Sequence, residues 1–361
     1  MPTTGESVAL GIFGSYFLII LGLFGLIGHN VPIVGRGRTQ RQQVFSVLAI
    51  LSFAHTWYYM LAYLFWSFRE YERETGGLVG KSVIDRLSSW LMDTGLFEQA
   101  WAIVSTNPMP WWWSEPICLY TVGAFTIFLA THGRNYAVKH LWTYMVLGQL
   151  VAISVATNLV FLSLLLSPEL NRPDKSKAVS YAPPILWLSV LVALVTVGIS
   201  PYTTKTTFLP NLLVMHIAII LPLLSFGNIA RSRFALRTRT LYLLAALGSL
   251  ALRIRTIVAA LASLTSANQT LSGFLSVALS TLHSHPAQSS IGWDVIWTTI
   301  SILVWTFLSP LSNQPFSSGG SPSAVLGTTT IASLLFSAGV GAPLAFRQDV
   351  DEGTSADGKR R

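Results

Sequence analysis

The sequence predicts an all-α, polytopic integral membrane bundle, and three observations carry that prediction. Of 361 residues, 52% are hydrophobic and only 11% charged, against about 25% charged in ordinary soluble domains. Mean hydropathy is +0.55. Apolar runs of the roughly 20 residues needed to cross a hydrocarbon core about 30 Å thick recur along the chain. A soluble two-domain enzyme of this length is excluded, because there is too little charge to clothe its surface. The 23 basic and 15 acidic side chains give a formal charge of +8. That excess sits in short loops between apolar runs, which suits orientation in a membrane and not nucleic-acid binding. Cys118 is the single cysteine, so neither an internal disulfide nor a cysteine-rich metal site is available.

In chain order the expected spans are 8–28, 44–66, 115–133, 141–166, 182–200, 208–227, 240–262 and 293–310, about eight in all, with a ninth at 324–346 diluted by Gly, Ser and Thr. The first run is read as a retained helix and not a signal peptide, because Glu6 precedes it and no Lys or Arg does. The connection 67–114 opens on the charge cluster Arg69 to Glu74. Its residues Leu87, Trp90, Leu91, Phe97, Trp101 and Val104 then recur near helical spacing, which predicts an interfacial helix broken at Asp93-Thr94-Gly95, with Trp111-Trp112-Trp113 at headgroup depth. Residues 263–290 carry no Lys, Arg, Asp or Glu and read between loop and interfacial helix. The whole makes one transmembrane domain, 1–346, and a charged, disordered tail, 347–361.

Basic residues set the orientation. Arg36, Arg38 and Arg41 follow the first span while the amino-terminal tail lacks Lys and Arg, which turns the amino terminus away from the cytosol. Strict alternation then puts Arg134, Lys139 and Lys205 in the cytosol but Arg231, Arg233, Arg237 and Arg239 on the other side. Either a span between 182 and 227 is re-entrant or miscounted, or the first helix outweighs the later charges.

Acids at membrane depth are costly unless paired or functional. Asp93 and Glu98 lie in the amphipathic segment, five apart and so about 140° around one helix, sharing a face only if the chain bends at Gly95. Glu115 opens span three and Asp294 opens span eight, and each equally suits a helix-start acid at a positive dipole end. Arg253 and Arg255 need a counter-charge or a route to the interface. His55 and His216 are lone histidines on apolar backgrounds, more readily packed than proton-transferring. Aromatic residues make up 12% of the chain, with twelve Trp; those around the acids can form the interfacial belt or offer π-faces to a cation. The Asp-rich motifs that grip Mg²⁺ and diphosphate, and the hydrolase, metalloprotease, Walker and dinucleotide fingerprints, do not occur. Chemistry that needs only a carboxylic acid, a dry aromatic cavity and a lipophilic substrate survives.

The strings LFEQAW at 96–101 and WWWSE at 111–115, within residues 45–166, resemble the fungal membrane-bound terpene cyclases of the ascochlorin and ascofuranone type, a group that includes the membrane protein of paxilline-like indole-diterpene clusters. The resemblance implies cyclisation of an epoxidised prenyl chain on a meroterpenoid or indole-diterpene precursor, in the endoplasmic reticulum or another internal membrane, beside other enzymes of the pathway. It transfers no catalytic residue, so the roles rest on the residues themselves. Glu115 and Glu98 are expected as the acid that opens a terminal epoxide, and Asp93 or Asp294 as base or orienting partner. Tyr59, Trp101, Trp112, Trp113 and His55 are expected to line the substrate site and steady the cation. No cofactor and no metal is called for. A scaffold of a biosynthetic complex and a transporter of a hydrophobic metabolite are the alternatives; no internal repeat supports the latter.

Overall fold

In a computed structural model, residues 4–31, 37–76, 82–171, 181–224, 233–309 and 322–347 are described; Arg36, Arg231 and the predicted tail beyond Arg347 lie outside them. They form fourteen helices: α1 Thr4–Asn30, α2 Gln40–Glu74, α3 Val83–Asp93, α4 Leu96–Ser105, α5 Pro108–Gly133, α6 Leu141–Leu150, α7 Ile153–Leu166, α8 Pro184–Ile199, α9 Phe208–Leu224, α10 Thr238–Ala262, α11 Leu271–Leu282, α12 Pro286–Leu308, α13 Pro322–Leu335 and α14 Ala338–Phe346. One two-residue strand pair, Tyr181–Ala182 with Leu236–Arg237, ties the start of α8 to the start of α10. Among the described residues six helices are long and apolar enough to cross a membrane: α1, α2, α5, α10, α12 and Pro184–Tyr202, which contains α8. The chain is a multi-pass membrane protein.

Two apolar runs that read as spans are helical hairpins. The run 141–166 breaks at Val151-Ala152, where Ala152 is extended at φ −170° and ψ 140°. Beyond the break α7 doubles back along α6: the Tyr144 and Ser163 hydroxyls hydrogen-bond at 2.8 Å, and a Cβ on Gly148 would sit 3.2 Å from that of Ala156. A straight helix would put residues eight apart about 12 Å from each other. Glycine at 148 lets the two arms close. The run 324–346 likewise breaks at Phe336-Ser337, and α14 folds against α13 so closely that a Cβ on Gly341 would meet the Thr329 carbonyl at 2.8 Å. Hydropathy sums residues without seeing such reversals, so among the described residues two of the expected spans are hairpins and not single crossings.

Further boundaries move with this. Span three starts at Pro108 and not at 115, so the Trp triplet belongs to α5, where Trp111 is buried, and is not part of an interfacial segment. Span eight starts at Pro286, placing Asp294 two turns inside α12. Helix α2 runs through the charge cluster to Glu74. The predicted break between α3 and α4 is present at Thr94-Gly95, and α11 occupies part of 263–290.

Helix α5 is the axis of the bundle, buried by the others from Ser114 to Gly133. Two stretches of it, Thr121–Phe125 and Leu129–Gly133, are wound as π-helix, a form that concentrates where helices serve a site. Around it α10 runs antiparallel, Gly123 lying against Ala245 and Glu115 against Thr256, while α14 presses Gly339 onto Leu119. The core between α2, α7 and α12 is aromatic: Phe161 and Trp305 stack at 4.2 Å, with Phe45 edge-on to both.

The hairpins also remove the conflict over Arg233, Arg237 and Arg239, while Lys205, expected in the cytosol, follows the end of α8 and lies at the other end of the bundle. Gln42 Nε2 donates to the Leu165 carbonyl at 2.9 Å and Ser167 Oγ to the Tyr136 carbonyl at 2.6 Å. Arg134 donates to the Pro222 carbonyl at 2.6 Å and Arg239 to that of Arg347 at 3.3 Å. These contacts gather the start of α2, the ends of α5, α7, α9 and α14, and the start of α10 at one end of the bundle. Arg38, Arg41, Arg134, Lys139, Arg233, Arg237, Arg239 and Arg347 therefore share a face, accompanied among the described acids by Glu169. Arg73 pairs with Glu70, and Arg86 with Glu72, at the opposite end. The positive-inside rule assigns the basic face to the cytosol and the start of α1 to the other side. The re-entrant element lies at 141–166, and not between 182 and 227.

Candidate functional site

The tip of the α6–α7 hairpin builds the site. A helix interrupted inside an apolar bundle leaves carbonyls at one broken end and N–H groups at the other, and both need partners. Tyr16 of α1 supplies the first, its hydroxyl donating to the Leu150 carbonyl at 2.6 Å. Asp294 of α12 supplies the second: its two oxygens accept the N–H groups of Ile153 and Ser154 at 2.9 and 2.8 Å. Asp294 is therefore not the helix-start acid of its own span that the sequence suggested: from two turns inside α12 it caps the start of α7.

Beside this tip lies a cavity of about 320 Å³. Tyr16, Tyr63, Phe97 and Trp101 give it aromatic walls; Ile117, Cys118 and Val122 come from the axial helix, and Met215, His216 and Ile219 from α9. Its hydroxyls are committed to backbone carbonyls: Tyr63 to Leu96 at 2.6 Å, Thr56 to Ser52 and Thr121 to Ile117 at 2.7 Å, Ser290 to Thr56 at 3.1 Å. Asp294 is the one carboxylate among the lining residues. Gln149 presents a buried amide nitrogen without a partner, a donor available to a guest oxygen.

Glu115 stands elsewhere. It is fully buried between α5 and α10, accepts from Thr256 Oγ1 at 2.7 Å, and lies 3.6 Å from Arg253 and 3.8 Å from Arg255. The arginines serve broken backbone as well. Pro116 lacks the N–H that would bond the Trp112 carbonyl, and Arg253 donates to that carbonyl instead at 2.7 Å. Arg253 also reaches the Phe336 carbonyl at the second hairpin tip at 2.8 Å, and Arg255 reaches the Gly198 carbonyl near the end of α8 at 2.6 Å. Arg253 lies 4.8 Å over the Trp112 ring. Here the counter-charge, and not snorkelling, answers the question posed by Arg253.

Of the nine residues proposed from sequence, Asp294 and Trp101 line the cavity. Asp93 accepts from the Tyr71 hydroxyl at 2.5 Å and Glu98 is exposed. Trp113 donates to the Ala278 carbonyl at 2.8 Å, and Trp112 covers Arg253. His55 accepts from Trp297 Nε1 at 3.2 Å, lies tilted against Trp293 at 4.2 Å and neighbours Tyr59 at 5.6 Å. These form an aromatic group outside the cavity lining. Sequence reasoning did not find Tyr16, Tyr63, Gln149 or His216 as a set, because α1, α2, α6 and α9 are brought together only by the hairpin. Among the described residues no group of three His, Cys, Asp or Glu stands together as for a metal ion. No family model, curated protein or solved structure matches the chain.

Proposed function

We propose that the chain is a membrane-bound terpene cyclase that protonates an epoxidised prenyl chain and closes a ring on it, without a redox cofactor. The observation that carries this reading is the cavity: aromatic and apolar walls beside one carboxyl group whose position is fixed by two backbone donors. Initiation needs a proton delivered to the epoxide oxygen, and Asp294 is the lining residue suited to carry it. The cation that follows needs π-faces, which Trp101, Tyr16, Tyr63 and Phe97 supply. The free amide of Gln149 suits an oxygen of the substrate. This reading moves the acid from Glu115 and Glu98 to Asp294, and leaves Trp101 as the cation stabiliser among the aromatics proposed from sequence. The likeness of LFEQAW and WWWSE to the ascochlorin-type cyclases supports the same substrate class, a prenylated aromatic of meroterpenoid or indole-diterpene type in an internal membrane.

The test uses microsomes carrying this protein alone, incubated with epoxidised prenylated aromatics that include an epoxy-geranylgeranyl indole. A new product of unchanged mass and altered retention time, lost in Asp294→Asn, is expected. Absence of turnover across the panel, with folded protein that co-purifies with other pathway enzymes, would instead favour the scaffold.

A further inference from the structure

We propose that His216 is the catalytic base that ends the reaction in this cavity; the assignment rests on the cyclase reading above. A cyclisation begun by a proton must give one up, and the lining residues restrict what can receive it. The hydroxyls of Tyr16, Tyr63, Thr56, Thr121 and Ser290 are weak bases already donating to carbonyls, and both Asp294 oxygens accept from α7. His216 differs from all of them. It is the only titratable side chain on α9, in a helix otherwise of apolar residues, Pro and one Asn, and it lines the cavity beside Met215 and Ile219. Its Nδ1 lies 2.7 Å from the Leu212 carbonyl oxygen. A carbonyl can only accept, so the hydrogen is on Nδ1, and in the neutral ring Nε2 carries a lone pair.

Other imidazoles in the bundle are placed differently. Nδ1 of His55 accepts from Trp297, Nδ1 of His285 accepts the Ala287 N–H, and His132 is buried against Phe128 at 4.6 Å. Among the described residues no hydrogen bond or ion pair engages Nε2 of His216. The backbone bond to Leu212 holds the ring in one tautomer, as a base needs.

The step balances as an isomerisation. The Asp294 carboxyl proton moves to the epoxide oxygen, a C–O bond breaks, and a prenyl double bond supplies the electron pair for the new C–C bond, leaving a tertiary cation. Nε2 of His216 then takes a proton from a carbon next to that cation, and the C–H pair becomes a double bond. Return of the proton from the imidazolium to the Asp294 carboxylate completes the cycle.

The experiment compares wild type, His216→Phe and His216→Gln in the microsomal assay, with product mass and double-bond position as readouts and folded protein measured by size-exclusion fluorescence. General bases contribute roughly 10²- to 10⁴-fold, so both variants are expected to lose at least about 100-fold in the wild-type product. Residual turnover should divert to a water-quenched product 18 mass units heavier or to a different alkene, and a packing role would move neither. A wild type that forms no isomer overturns the cyclase reading and the base with it. An active wild type whose His216→Phe variant keeps the rate within about threefold and the same alkene overturns the base alone. If His216→Phe fails to fold, His216→Gln decides by the same criteria.

Discussion

Glu115→Gln separates a structural carboxylate from a catalytic one. In the native protein Glu115 is fully buried, 3.6 Å from Arg253 and 3.8 Å from Arg255. At 3.6 Å one unit pair attracts by about 4–5 kcal/mol at an effective dielectric constant near 20, and repulsion between the two arginines offsets part of the second pair. Removing one partner of a buried ion pair costs roughly 3–5 kcal/mol, because the remaining charge is left uncompensated. The glutamine amide oxygen still accepts from Thr256, and Arg253 keeps its two carbonyls, so the lower end, about 3 kcal/mol, is expected. At about 2 °C per kcal/mol the melting temperature in detergent should fall by roughly 6 °C, with less folded protein in the membrane. Replacing Arg253 by Met as well should not recover the loss, since the Trp112 and Phe336 carbonyls that Arg253 serves then lack their donor. The assay is thermal size-exclusion fluorescence of the two single variants and the double, beside product formation normalised to folded protein. A Glu115→Gln protein that melts like wild type yet makes no product would refute the reasoning, and would return the acid to Glu115.

Asp294→Asn should abolish product, and by loosening the cap on α7 it should also lower the melting temperature by a few degrees; full activity in this variant would remove Asp294 from the mechanism. Gly341→Val pushes a side chain onto the Thr329 carbonyl and Ser333, an overpacking expected to cost about 1–3 kcal/mol, read as a lower melting temperature. Ala137 holds a left-handed φ of 52°, so Ala137→Gly should raise stability by up to about 1 kcal/mol, checked by the same melt. His285 caps α12 through an accepting Nδ1, and burial holds its pKa below the ordinary 6.5. The folded state thus binds fewer protons than the unfolded one, and this part of the stability, complete above 6.5, is lost as pH falls from there towards the lowered value. The difference in melting temperature between wild type and His285→Asn should change across that window; a difference independent of pH would count against the cap.

Composition and hydropathy were enough for the helical membrane class, because 11% charge leaves no other home for so much apolar length. The break at Thr94-Gly95 was legible from the glycine and the change of face. The demand of Arg253 for a counter-charge was legible too, although nothing local to residue 253 points 138 positions back to Glu115. The hairpins were not legible: Leu150-Val151-Ala152 is as apolar as its flanks, and the reversal is paid for by Asp294 and Tyr16, more than 130 residues away in either direction. For the same reason the cavity could be foreseen as a kind of place but not as a set of residues. Asp294 and Trp101 were picked on chemistry, while His216 reads as an ordinary packed histidine until α9 is laid against the hairpin tip.

Cys118 stands in the cavity wall and is the only thiol in the chain. The protein therefore carries its own single-site chemical reporter. A small apolar thiol reagent that reaches the cavity marks one position per molecule with no engineered background, and a guest occupying the cavity slows that labelling. Comparing membrane-soluble with membrane-impermeant reagents, added from either side, reads out the route by which the cavity fills, and does so even in variants whose chemistry has been removed.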